Sequence, residues 1–308
     1  MAPGPERNQR RRCATLKATA TPPDPTMTRN LTRNLTRNLT RNLTQQLNVT
    51  RHGRGAIPVV MLHGFGCDQT VWSRLLPRLE ADYQLILLDL PGFGAADPAA
   101  FDPDRHGTPA GHAEDVAALC EELQLEGAML VGHSIGGTIG MMASLLRPGT
   151  FDKLGLICSS ARYLDEPPHY RGGYSEAELE GLMQLMEQNY LDWAGALSTI
   201  ALGDAGTPSH RHDLQQRLLA VPPEVLRPLA RSIFFGDTRH LLPGVSVPSV
   251  VVQTAHDAIV PMEAAEYLAD HLPQGELVVM QSAGHYPQLT DPETLAWVLR
   301  GCLTLHDH

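Results

Sequence analysis

No stretch of this 308-residue chain approaches the roughly 18 consecutive apolar residues of a membrane helix, so no membrane partner is expected. Its five cysteines (Cys13, Cys67, Cys120, Cys158 and Cys302) are scattered and never form a CxxC pair. An odd, dispersed set reads as reduced thiols in a cytoplasmic protein rather than a disulfide framework. The sequence has no glycine-rich nucleotide fingerprint, since the glycines near Gly92 and Gly136 belong to other turns. Arg10-Arg11-Arg12 resembles the start of a signal peptide, but no apolar region follows it. The histidine pairs His210/His212 and His306/His308 have no carboxylate or cysteine cluster at ligand spacing, so neither a metal nor a cofactor is expected. The net charge is -10 and uneven: residues 1–50 carry nine Lys+Arg against two Asp+Glu, leaving 15 against 32 in the rest. An acidic body argues against nucleic-acid binding.

What is present suits a real core. Apolar residues make up 43% of the chain, and its length allows one large α/β domain or two smaller ones. Residues 28–44 repeat Thr-Arg-Asn-Leu four times and close on Thr44. One leucine in four cannot build a core, so residues 1–46 read as a disordered low-complexity extension. The repeat creates sequons from Asn30 to Asn42, and Asn48-Val49-Thr50 adds another; without a signal peptide they read as coincidental. Met27, directly before the repeat, is a candidate alternative start.

From Leu47 onward, short apolar runs alternate with helical patterns. The runs are Ile57–Leu62, Gln84–Leu90, Gly127–Val131, Leu154–Cys158, Val247–Gln253 and Glu276–Met280. Helices are expected over 111–123, 135–146, 263–272 and 292–305. This pattern implies a mainly parallel sheet with helices on both faces over residues 47–308. Between about 159 and 242 the alternation stops and only helical patterns remain, at 175–189, 191–202, 211–219 and 223–235. That segment reads as a helical cap inserted into the sheet domain, able to exclude water from a pocket.

The chemistry concentrates at Gly132-His133-Ser134-Ile135-Gly136, directly after an apolar run and before a small-residue helix. Glycines flanking a serine in that context describe a sharp strand-to-helix turn that lifts the hydroxyl above a sheet, over a helix N-terminus. A serine hydroxyl needs a base, and the base needs an orienting carboxylate. In this fold they follow in the order Ser, acid, His, each after a strand. Asp257 follows the run ending at Gln253, and His285 follows the run ending at Met280, with Gly284 freeing the loop to bend. Asp237 and His256 are the rivals for acid and base, but neither emerges as cleanly from a strand. Two backbone N–H groups must stabilise the oxyanion. Ile135 follows the nucleophile, and Phe65 follows His63-Gly64 after the first run. Phe65 also supplies an aromatic wall, and His133, Tyr163, Trp193 and Phe234 complete the expected pocket. Cys67 reads as a small buried filler near the pocket mouth.

Across residues 47–308 the chain resembles the α/β-hydrolase family. More narrowly, it is similar to the RsbQ-type bacterial proteins, relatives of the plant strigolactone and karrikin receptors. The residues carrying this are Gly64-Phe65-Gly66-Cys67-Asp68-Gln69-Thr70-Val71-Trp72, Gly132-His133-Ser134-Ile135-Gly136-Gly137, Tyr163-Leu164-Asp165-Glu166-Pro167-Pro168, Gly172-Gly173-Tyr174 and Ser232-Ile233-Phe234-Phe235-Gly236-Asp237. The resemblance implies an α/β-hydrolase fold with a four-helix, V-shaped cap. It implies Ser134, Asp257 and His285 as a triad, Phe65 and Ile135 as oxyanion donors, and an enclosed apolar pocket for a small ester or lactone. It also implies an alternative role as a small-molecule sensor in stress signalling with a PAS-type phosphatase. The chain departs from the pattern in its repetitive extension and in Ala95, where many relatives have a small polar residue.

Overall fold

The computed structural model describes residues 42–303. Cys13, Met27, the sequons at Asn30, Asn34 and Asn38, and His306/His308 lie outside the described residues.

The sheet has seven strands among the described residues, in the order β1-β3-β2-β4-β5-β6-β7. They are β1 (Thr50–His52), β2 (Ile57–Leu62), β3 (Tyr83–Leu87), β4 (Ala128–His133), β5 (Phe151–Ile157), β6 (Ser249–His256) and β7 (Gly275–Ala283). Only β1 runs antiparallel. Every residue of the central strand β4 is buried, which is why it reads as one continuous apolar run. The edge strand β7 is mostly half-buried or exposed, and its run is correspondingly weaker. β3 and β2 lie on one side of the chain's turning point, with β4 to β7 on the other. The crevice beyond the strand ends at such a reversal is where ligands of open α/β sheets sit.

Asn42–Gln46, expected within the extension, belong to the same compact unit as the sheet domain. Asn42 caps a one-turn helix, Leu43–Gln46, its side chain accepting from the Gln45 N–H. The Glu122 carboxylate accepts the Leu43 and Thr44 N–H groups at 2.7 and 3.0 Å, and Leu43 and Leu47 are buried. Asn48, the last sequon asparagine, is engaged too: its amide donates to Asp89 at 2.8 Å.

Four helices stand between β5 and β6: Glu176–Gln188, Tyr190–Leu202, Pro208–Ala220 and Pro223–Phe234. The first starts at a capping box, with Ser175 and Glu178 bonding each other's backbone N–H. The approach to these helices and the return from them are tied together at the base. Arg162 and Arg239 both pair with Asp237 at 2.6 Å, Arg239 pairs with Glu166 at 2.6 Å, and the Thr238 N–H donates to the Ala161 carbonyl at 2.9 Å. This clamp accounts for Asp237, the rival acid: its carboxyl is held well below the usual range, first by the Arg239 hydrogen bonds and then by Arg162. No helix among the described residues is long and apolar enough to cross a membrane.

Candidate active site

Four parallel strands, β2, β4, β6 and β7, deliver the candidate residues to one edge of the sheet. β4 ends in the turn carrying Ser134, whose φ of 54° and ψ of -121° are strained for a residue with a side chain. Such strain stores about 1–3 kcal/mol and persists only where the surroundings enforce it. Here close approach enforces it. A Cβ on Gly132 would overlap the Gly136 and Gly137 backbone, and one on Gly136 would lie 2.5 Å from the Leu62 carbonyl oxygen. The Ser134 N–H is fixed to the Ile157 carbonyl at 2.8 Å, and the Ser159 hydroxyl donates to the Ser134 carbonyl at 2.9 Å.

His285 Nε2 lies 2.9 Å from Ser134 Oγ, and His285 Nδ1 lies 2.7 Å from Asp257 Oδ2. Asp257 cannot rotate freely. Its Oδ1 accepts the N–H groups of Ile259 at 2.8 Å and Val260 at 3.1 Å, and Gln253 Nε2 donates to Oδ2 at 3.3 Å. His285 is placed by its backbone. Gly284, in the left-handed region at φ 87°, turns the chain, and the His285 N–H donates to the Ala201 carbonyl of the second inserted helix at 2.7 Å. The inserted helices therefore anchor the loop that carries the imidazole. His256, the rival base, is exposed at the end of β6 and contributes its carbonyl to the Gly284 N–H.

His63 explains how the loop after β2 is held. Its Nδ1–H donates to the Gly64 carbonyl at 2.9 Å, and its Nε2 accepts the Leu90 N–H at 3.0 Å. Burial lowers its pKa, so the ring stays neutral and fills both bonds. Phe65 follows on that loop. Ile135 opens the helix Ile135–Leu146, so its N–H has no partner within the helix. Both residues border the cavity above Ser134.

That cavity holds only about 30 Å³ and is walled by Phe65, Ile135, Tyr163, Leu197, Ala201, Ile233, Phe234, Ile259 and Tyr286 around Ser134 and His285. At that size it accommodates about two water molecules. The Tyr163 hydroxyl lies 3.4 Å from Ser134 Oγ, and burial raises its pKa, which keeps it protonated. Phe65 and Phe234 meet edge to face at 6.1 Å, closing the inserted helices onto the sheet. Two expected pocket residues fall elsewhere. Trp193 stands behind Phe65, edge to face at 6.3 Å and stacked on Tyr190, and does not border the cavity. His133 is fully buried beneath the site, where its Nε2–H donates to the His285 carbonyl at 2.7 Å. Burial, then the nearby His285 ring, hold His133 well below the ordinary histidine value. It is a neutral strut under the imidazole loop. Sequence reasoning missed Leu197, Ala201, Ile233, Ile259 and Tyr286.

A larger cleft of about 300 Å³, lined by Cys67, Asp68, Phe93, Phe101, Arg217 and Val221 among others, contains neither Ser134 nor His285. Cys67 lies between the two spaces with its Sγ 3.9 Å from the Tyr286 hydroxyl, and burial pushes its thiol up to about 12. The smaller cavity is the one that borders both the Ser134 hydroxyl and the His285 imidazole. His210 Nε2 accepts from Arg74 at 2.7 Å.

Known proteins show what the chain as a whole is similar to. At 38% identity over 253 residues, the chain is similar to the karrikin insensitive 2 receptor CA of Petunia hybrida, with 82% of this chain and 93% of that one covered. It is 37% identical over 259 residues to the strigolactone esterase D14 of Arabidopsis thaliana, covering 83% and 96%. A hydrolase from Oleispira antarctica superposes with a TM-score of 0.83 at 31% identity, covering 84% of this chain and 95% of that one. The family profile described as the alpha/beta hydrolase fold matches residues 57–292. With that match running from the first strand of the parallel sheet to the last helix, the chain belongs to the α/β-hydrolase family.

Proposed function

We propose that the protein is a serine-dependent carboxylic ester hydrolase acting on a small apolar ester or lactone. The observation that carries this is the unbroken line from Asp257 through His285 to Ser134 Oγ, with successive contacts of 2.7 and 2.9 Å. His285 takes the Ser134 proton as the oxygen attacks the carbonyl. The N–H groups of Phe65 and Ile135 donate hydrogen bonds to the developing oxyanion. Collapse expels the alcohol, protonated by His285, and leaves an acyl-serine. Water activated by the same imidazole clears the acyl group. Asp257 fixes the tautomer with the proton on Nδ1 and stabilises the imidazolium. The chemistry calls on no metal and no cofactor. Apolar walls favour an apolar acyl group, and the narrow cavity favours a small one.

The test is hydrolysis of a short-chain nitrophenyl ester. Wild-type protein turns it over, and Ser134→Ala loses at least about 10³-fold. Activity surviving in Ser134→Ala would sink the mechanism.

A second reading has its own support. A 38%-identical relative bears a receptor's name, and the cavity holds only about 30 Å³. In that reading the same site senses a small molecule through slow hydrolysis and reports to a protein partner, a PAS-type phosphatase. Turnover separates the two: many fast cycles favour the enzyme, whereas a single slow cycle with a shift in melting temperature favours the sensor.

A further inference from the structure

Cys158, the residue after β5, takes no part in the proton relay. It is fully buried, and its φ of 48° is unusual for a residue with a side chain. Its N–H is fastened to the Val252 carbonyl at 2.8 Å, which fixes the strand end beside the acid loop. As a result, one ligand atom from each of Cys158, Asp257 and His285 lies within 4.8 Å of the other two. Among the described residues no other trio of His, Cys, Asp or Glu converges in this way. Three atoms no farther apart than 4.8 Å share a centre at most about 2.8 Å from each. Zinc bonds run to about 2.3 Å for sulfur and about 2.0–2.2 Å for nitrogen and oxygen, so His285 Nδ1 and Asp257 Oδ2, 2.7 Å apart, must open to about 3.4 Å to admit the ion between them.

We propose that Cys158, Asp257 and His285 form a latent binding site for a thiophilic divalent cation, Zn²⁺ or Cd²⁺, and that its occupation switches Ser134 off. This rests on the reading of Ser134 and His285 as nucleophile and base. A thiolate with an imidazole selects Zn²⁺ or Cd²⁺ over Mg²⁺ or Ca²⁺, which prefer oxygen cages. The protons balance as follows. The cation binds Cys158 Sγ, an Asp257 oxygen and His285 Nδ1. The thiol proton leaves to solvent, the Nδ1 proton leaves, and Nε2 takes one up, so one proton is released per ion with no change of oxidation state. Nε2 is then a donor facing Ser134 Oγ and can no longer accept its proton. Because the ligand groups are buried, access runs through the narrow cavity and onset is slow.

The test uses metal-free, full-length protein without an added histidine tag. Cd²⁺ is titrated while thiolate-to-cadmium charge-transfer absorption is followed, and in parallel Ser134 is labelled with a fluorophosphonate. One equivalent is expected to raise the band and slow labelling about tenfold or more, with EDTA restoring both. In Cys158→Ser, which keeps the side-chain volume, the band is expected to vanish and about tenfold more cadmium to be needed. Cys158→Ala serves if the serine variant does not fold, and Co²⁺ in wild-type protein needs no variant at all: tetrahedral bands with thiolate charge transfer are expected. A band retained in both Cys158 variants, unchanged labelling at a saturated band, or octahedral cobalt spectra would each overturn the proposal. Failure of cation-free wild-type protein to label would instead refute the reading of the serine, while the absorbance titration still decides the site.

Discussion

Asp257→Asn probes the acid of the proposed relay, and the structure dictates which way the amide must face. Asp257 Oδ1 accepts two backbone N–H groups, from Ile259 at 2.8 Å and Val260 at 3.1 Å. Asparagine has a single acceptor oxygen. Turning it away from that pair leaves two buried donors unpaired, at about 1–3 kcal/mol each. The oxygen therefore stays with the backbone, and the NH₂ occupies the Oδ2 position, 2.7 Å from His285 Nδ1 and 3.3 Å from the Gln253 amide, which is itself a donor. The imidazole answers a donor at Nδ1 by shifting its proton to Nε2, the atom that must accept from Ser134. The expected loss in kcat/KM is about 10⁴-fold, or about 5.5 kcal/mol of transition-state stabilisation. Steady-state hydrolysis of a nitrophenyl ester measures it, with thermal melting to confirm the fold. A folded Asp257→Asn protein within tenfold of wild type would refute the reasoning.

Gly136→Ala drives a Cβ to 2.5 Å from the Leu62 carbonyl and 2.6 Å from the His63 carbonyl, backbone that cannot yield. A loss of about 3 kcal/mol or more is expected in chemical denaturation, and unchanged stability would contradict the close approach at the turn. Tyr163→Phe removes a hydroxyl 3.4 Å from Ser134 Oγ, a long contact, so ester turnover is expected to change by no more than about fivefold. A collapse of activity with the fold intact would make Tyr163 part of the chemistry. Burial, with the His106 ring beside it, pushes His112 down to about 3. Its folded value lies below its unfolded one, so its contribution to stability is full above about pH 6.5 and is lost as pH falls towards 3, at roughly 1 kcal/mol per pH unit. His112→Phe is expected to flatten that decline in melting experiments; curves that stay parallel would contradict it.

The sheet and the meeting of Ser134, His285 and Asp257 were largely legible because they depend on local signals. Strands buried on both faces read as continuous apolar runs, and Ile135–Leu146 begins and ends where the small-residue pattern does. Ser134, Asp257 and His285 each follow a strand in the required order. Their juxtaposition depends on topology, which the strand–helix alternation already implies. Features set by tertiary packing were not legible. β1 is three residues long and owes its place to pairing with β3. The turn at Leu43–Gln46 is held to the domain by a carboxylate far along the chain, Glu122, and local composition carries no trace of that. His133 occupies a motif position that suggested the pocket, yet its ring turns under the sheet edge to hold the His285 carbonyl. Cavity residues such as Leu197, Ala201 and Ile233 depend on which face each inserted helix presents. At Ala95 it is the backbone N–H, not the side chain, that donates to Asp89 at 2.9 Å.

The measurement that bears most directly on the central claim is the intact mass of the protein after brief reaction with an activated short-chain ester, followed by peptide mapping. The account expects a single acyl adduct on Ser134, present in wild type and absent from both Ser134→Ala and His285→Ala. Ester cleavage with no adduct on Ser134, or an adduct that forms at the wild-type rate without His285, would contradict it.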